Sequence, residues 1–378
     1  MKKKLYVTRT VKVACLLLAL MFSCGFLQTY VLRRDDHNMV RLTGYYREKS
    51  GSLDVVLLGA SEIYTGYSAG RAYEKYGYTS YPVATESITT DGMLLALKEI
   101  VRTQHPKLIV IEPNAYLYKE IKNESNDGHI RKLVDNIPLS GNKIEYVTQN
   151  IPGDEQIEYY FPMIKYHGMW TDYPKSLFKT ASAIEMDFRG AYYLKGFRTT
   201  TGTLHPKEKI LNQAIINENK TAKLNKVLEK KLVELLEYCK EQKLNVVFVR
   251  SPHMVYKKTY ERVKRSNRAA EIVKQYGYDY INLERDWDKM GIDLTKDFYN
   301  YDHLNAYGAA KLTDYLGNIL QTKYGIERRT LSGSEKEEWD TAAEYFGKLY
   351  RYCDHLLKAN KKEKLDEDMG TLRRIENY

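Results

Sequence analysis

The sequence predicts an α/β protein, a parallel sheet with helices on both sides, carried behind one apolar N-terminal helix. Two features predict the sheet and a third the anchor. Short apolar runs recur along the chain, helical patterns separate them, and a long uncharged stretch follows the basic N-terminus.

The first run is Asp54-Val55-Val56-Leu57-Leu58-Gly59, which reads as a buried strand closed by glycine. Leu108-Ile109-Val110-Ile111, Asn245-Val246-Val247-Phe248-Val249 and Tyr278-Asp279-Tyr280-Ile281-Asn282-Leu283 repeat the pattern. The clearest intervening helix places Leu224, Val227, Leu228, Leu232, Leu235, Leu236 and Cys239 on one face. From about 119 to 220 the rhythm breaks: Pro138, Pro152, Pro162, Pro174 and Pro206 lie among aromatics and glycines, the pattern of an insertion over the sheet. A helix around Ala309 to Gln321 ends the body near residue 325. The tail, 326–378, restarts with Ser334-Glu335-Lys336-Glu337, which reads as a capping box. Trp339, Ala342, Phe346, Leu349, Tyr350, Cys353 and Leu357 then form an apolar stripe suited to docking on the body.

Lys2, Lys3, Lys4, Arg9 and Lys12 precede the uncharged stretch Val13 to Leu32, and Arg33-Arg34-Asp35-Asp36 closes it. At about 1.5 Å per residue it spans roughly 30 Å of hydrocarbon. The cations put residues 1–12 in the cytoplasm and the body, 33–325, outside the cell membrane. A cleaved signal peptide would carry a shorter apolar region and a small-residue cleavage site, and Phe22-Ser23-Cys24 has a bulky residue where a lipoprotein site needs a small one.

With 378 residues, 43% of them hydrophobic and 29% charged, the chain can bury one large core or two modest ones, which excludes a disordered protein. The net charge of +10 suits contact with anionic lipid heads or an acidic polymer. Thirty-four tyrosines against nine phenylalanines include rings able to stack on sugars. Only Cys239 and Cys353 lie outside the apolar segment, so no disulfide framework is expected. The eight histidines lack metal-ligand spacing, and nothing reads as a cofactor-binding glycine loop or a nucleic-acid module.

Ser61 follows Gly59-Ala60 at the end of the first strand, on the sheet edge where open α/β sheets bind ligands. Backbone N–H groups there can face a developing oxyanion, although the same serine is equally suited to capping the next helix. Gly-x-Ser-x-Gly is absent, since Ile63 holds the last glycine place. In Phe298-Tyr299-Asn300-Tyr301-Asp302-His303-Leu304-Asn305, a histidine stands just before an amphipathic helix and can lean over the same edge to take the Ser61 proton. His253, in Arg250-Ser251-Pro252-His253, ends another strand, and Arg250 there could meet an anionic substrate. His167 and Trp170 are candidates for a sugar contact in the insertion.

The blocks Gly59-Ala60-Ser61, Ile111-Glu112-Pro113-Asn114 and Asp302-His303-Leu304-Asn305 resemble the SGNH hydrolase superfamily. Within it they look most like the membrane-anchored group that works with multi-spanning O-acyltransferases on polysaccharides or teichoic acid. Tyr166-His167-Gly168-Met169-Trp170 and Gly190-Ala191-Tyr192-Tyr193-Leu194-Lys195-Gly196-Phe197 are similar to that group too, so the likeness runs sparsely over 50–325. The resemblance implies a three-layer, flavodoxin-like sheet, Ser61 as nucleophile, His303 as base, and an oxyanion hole from the Ser61 amide and the Asn114 side chain. It departs in two places. Glu112 stands where the family has glycine, and Asn300 stands three residues before the histidine where the family has aspartate. Asp302 is the preferred substitute for orienting His303, with Asp297 further back. The implied activity is transfer of an acetyl or D-alanyl group, delivered by the membrane partner, to a cell-wall or secreted polysaccharide. An O-acetyl esterase of the same fold is one alternative, and a non-catalytic polysaccharide-binding or assembly subunit with a decayed triad is another.

Overall fold

The computed structural model describes residues 2–32, 37–121 and 124–378, excluding the side chains of 2–8, 170, 172–176 and 178. The expected closing cluster Arg33 to Asp36 and the side chain of Trp170 lie outside the described residues. The chain divides into two compact units, residues 1–36 with 144–191 and residues 37–143 with 192–378.

In the first unit, helix α1 (Lys2–Phe26) runs into a π-helical turn, Leu27–Val31. Arg9–Val31 is long and apolar enough to cross a membrane, as the uncharged run predicts. The turn is tied to the helix Tyr173–Arg189 by Tyr30 Oη donating to Asp187 Oδ2 at 2.7 Å and Thr180 Oγ1 donating to the Tyr30 carbonyl at 2.6 Å.

The second unit holds a five-stranded parallel sheet. Its strands are β1 (Val55–Gly59), β2 (Ser80–Ala84), β3 (Leu108–Ile111), β4 (Val246–Arg250) and β5 (Asp279–Asn282), in the order β2-β1-β3-β4-β5. The expected strands became β1, β3, β4 and β5. Strand β2, which carries Pro82, was not among the expected strands. The sheet tolerates the proline there because β2 is an edge, where a missing N–H costs no ladder bond. Strand order reverses between β1 and β3, which opens a crevice at their carboxyl ends.

Two packed groups stand out among the helices of this unit. One comprises α2 (Ser61–Gly66) and α3 (Ala69–Tyr76), which pack with two late helices, α7 and α8 below. The other comprises α4 (Thr90–Thr103), α5 (Lys226–Glu241) and α6 (Tyr260–Gln275). In α5 the predicted stripe is buried at Leu228, Leu232, Leu235, Leu236 and Cys239, whereas Val227 is turned to solvent. Helices α7 (Ala306–Tyr324) and α8 (Gly333–Lys358) follow. α8 begins at Gly333 with Ser332 as its N-cap and no side-chain capping bond, so the expected Ser334 capping box falls inside the helix. It buries Trp339, Ala342, Phe346, Leu349, Cys353 and Leu356 and packs on α3, where a Cβ on Gly70 would strike the Ala342 carbonyl. The tail therefore belongs to the body.

Candidate active site

Gly59 ends β1, and Ser61 opens α2. Gly59 has no positive φ; it is needed for clearance, because a Cβ would lie 2.7 Å from Ile63 Cγ1 and 2.9 Å from Glu112 Cβ. Close approach of β3 to the β1 end thus sets the position of Ser61.

The second half of the site is a loop pinned at both ends. Asn305 caps α7, its Oδ1 accepting from Tyr307 N and Gly308 N, while its Nδ2 donates to the Gly202 and Lys296 carbonyls at 3.1 and 2.6 Å. Asn305 N donates to Asp297 O at 2.9 Å and Tyr299 N to His303 O at 3.2 Å, which folds 297–305 back on itself. Asn300 Oδ1 accepts from Asp302 N at 2.9 Å and from His303 N at 2.8 Å, and lies 2.9 Å from His303 Nδ1. Two backbone donors can face only the oxygen of an amide, which fixes the Asn300 orientation and requires the proton on Nδ1. Nε2 then offers its lone pair to Ser61 Oγ, 2.7 Å away. The Tyr299 ring stacks on His303 at 5.5 Å between centroids and 9° between planes. Burial lowers the His303 pKa against the pull of the Glu62 and Asp302 carboxylates, so the ring is neutral at pH 7 and able to accept a proton.

Asp302, the preferred orienting carboxylate, does not hold the ring. Its Oδ1 accepts from Arg262 Nη2 at 2.6 Å, because side chains adjacent in a turn point apart and a buried guanidinium lies on the other side. Asp297 is also spent elsewhere, on Lys311 at 2.6 Å and on Asp293 N at 2.7 Å. Asn300 is the residue placed against Nδ1.

Beneath the serine lies a buried charged cluster. Glu62 Oε2 is 3.4 Å from Ser61 Oγ, and its Oε1 accepts from Asn114 Nδ2. Asn114 Nδ2 also donates to Tyr118 Oη at 3.4 Å, and its Oδ1 accepts from Arg250 Nη1 at 2.7 Å. Both amide protons of Asn114 are therefore committed, so the expected oxyanion donor acts instead as a clamp on Glu62. Arg250 and His253 are fully buried, which removes them from the expected role of substrate contacts. Arg250 bridges Glu112 at 3.1 Å and Glu284 at 3.3 Å. His253 lies between Glu284, 3.1 Å from Nδ1, and Glu62, 3.5 Å from Nε2.

The protonation states follow from this packing. Burial and Arg250 oppose the charge on His253, but Glu284 and Glu62 outweigh them and raise its pKa. Burial works against the Glu62 and Glu284 charges too; His253 and His303 reverse it at Glu62, and Arg250 and His253 at Glu284, holding both carboxyls well below the usual range. Glu112 goes the other way: burial and the neighbouring Glu62 carboxylate push it up to about 7.

Glu62, Glu284, Arg262 and Tyr299 were missed in the sequence. A signal for the cluster was present, since β1, β3 and β5 are closely followed by Glu62, Glu112 and Glu284, and β4 ends on Arg250. Charges at the carboxyl ends of buried strands must converge on one sheet edge.

His167 and Trp170 belong to the other compact unit. His167 is exposed, and its Nδ1 hydrogen-bonds the Ile164 carbonyl at 2.5 Å. Among the described residues no group of three or more His, Cys, Asp and Glu side chains is placed to hold a metal ion. No family model matches the chain, and no curated protein matches it.

Proposed function

We propose that this chain is a membrane-tethered, extracytoplasmic serine acyltransferase of the SGNH kind, passing an acetyl or D-alanyl group to a polysaccharide or teichoic acid hydroxyl. The observation that carries this reading is the 2.7 Å contact of His303 Nε2 with Ser61 Oγ, in a ring whose tautomer Asn300 fixes. The right-handed crossover rule assigns the α3 and α5 helix groups to opposite faces, consistent with the three-layer form. The basic N-terminal flank and the Arg9–Val31 helix support a single-pass anchor with the body outside.

In this mechanism Ser61 Oγ attacks the acyl carbonyl as its proton passes to His303 Nε2. The Ser61 N–H, first in α2 and without an intrahelical acceptor, receives the oxyanion. His303 returns the proton to the leaving group, then deprotonates a sugar hydroxyl that collects the acyl group from Ser61, and gives that proton to the departing Ser61 Oγ. With an amide at Asn300, the charge that stabilises imidazolium comes first from Glu62, on the serine side of the ring, and then from Asp302. Hydrolysis uses the same steps with water as acceptor; tethering beside a multi-spanning acyl donor favours transfer.

A fluorophosphonate probe tests the reading. Labelling of the wild type and none of Ser61→Ala is expected; equal labelling of both, or none of either, counts against it.

A further inference from the structure

Tyr118, Lys119, Glu120, Lys258, Thr259, Arg262 and Arg265 line a cleft of about 360 Å³, the size that takes one or two sugar units. Four of the seven are cations and one is an acid. Lys258, Arg262 and Arg265 share one side of α6 and the residues leading into it, at spacings of four and three. Like charges so spaced weaken a helix. Among the described residues Lys119, Lys258 and Arg265 have no carboxylate partner. Arg265 Nε is instead fixed by the Leu117 carbonyl at 2.5 Å, and Arg262 is nearly buried. Burial, then the neighbouring Arg262, lower the Arg265 pKa against the pull of Glu261. Tyr118 adds a ring on which a pyranose can stack.

We infer that this cleft binds a sugar bearing an oxyanion, phosphate or carboxylate, with Lys119, Lys258 and Arg265 on the charge and Tyr118 under the ring. The site meets the candidate active site at two points. Arg262 is the partner of Asp302 at 2.6 Å, next to His303, and the Tyr118 hydroxyl accepts from Asn114 at 3.4 Å. An anion in the cleft therefore shares Arg262 with the loop that carries the base. Identifying the bound unit as part of the acceptor chain rests on the acyltransferase reading; binding itself does not.

The test uses full-length Ser61→Ala protein in detergent, titrated calorimetrically with glucose 6-phosphate, glucuronate and uncharged glucose at low and high salt. Binding of either anionic sugar, weakened by salt and at least tenfold tighter than glucose, is expected. Phosphate alone or carboxylate alone then names the class. The double variant Lys119→Gln/Lys258→Gln, both positions exposed, should weaken binding by about tenfold or more, and Arg265→Gln should do the same if folded by circular dichroism. Absence of binding, or equal binding by the variants, overturns the inference. Absence of Ser61-dependent labelling with sugar-phosphate binding intact would instead sink the acyltransferase reading and leave the anion site standing.

Discussion

Replacing Glu62 by glutamine tests where the charge that supports His303 comes from. Both groups lie on Ser61 Oγ, at 2.7 and 3.4 Å, which bounds the distance from Nε2 to the carboxylate at about 6 Å. At an effective dielectric constant of about 20, two unit charges about 6 Å apart interact by roughly 2.8 kcal/mol, or about a hundredfold in rate. Glu62→Gln keeps the shape and removes the charge. The rate constant for 4-nitrophenyl acetate hydrolysis should fall by up to about a hundredfold. The acid limb of kcat/KM against pH reports protonation of His303, and loss of a nearby negative charge lowers that pKa, so the limb should move to lower pH. Asn300→Asp restores a carboxylate on the opposite nitrogen: it should move the limb up and recover more rate in the Glu62→Gln background than in the wild type. A limb that stays in place in Glu62→Gln, or a loss of rate from Asn300→Asp in both backgrounds, would refute the reasoning.

Three further outcomes follow from the buried cluster. Arg250→Met strands Glu112 and Glu284 without their shared cation and should cost about 3–5 kcal/mol in urea unfolding. Glu112, raised from the ordinary 4.5 to about 7, contributes stability that is full below pH 4.5 and is lost as pH rises through about 7. His303, lowered by burial, works in the opposite sense, so the comparison is between variants. From pH 5 to 8 the wild type should lose stability relative to Glu112→Gln, on the order of 3 kcal/mol in paired urea titrations. Gly59→Ala drives a methyl against Ile63 and Glu112 and should cost about 1–3 kcal/mol by thermal unfolding, with loss of fluorophosphonate labelling as Ser61 shifts.

The sheet was legible where a strand is a short unbroken apolar run such as Val55-Val56-Leu57-Leu58, which suits a strand buried on both faces. It was illegible at β2, where Pro82 is tolerated only because the strand is an edge, a fact of strand order. The pairing of Ser61 with His303 was likewise within reach, since both follow from the rule that loops at the carboxyl ends of parallel strands meet. The orienting residue was not. Asp302 is adjacent to His303 and Asn300 three residues before it, and the choice between them depends on Arg262, which reaches the loop from α6, 40 positions from Asp302.

Composition and order along the chain thus determined the fold class, the apolar N-terminal helix and the sheet edge on which the candidate site residues fall, since each depends on local hydrophobic pattern alone. Tertiary structure decided which polar groups are shared. Arg250, His253 and Asn114 became internal partners of Glu62, Glu112 and Glu284 because a buried charge must find its opposite, whatever its distance in sequence.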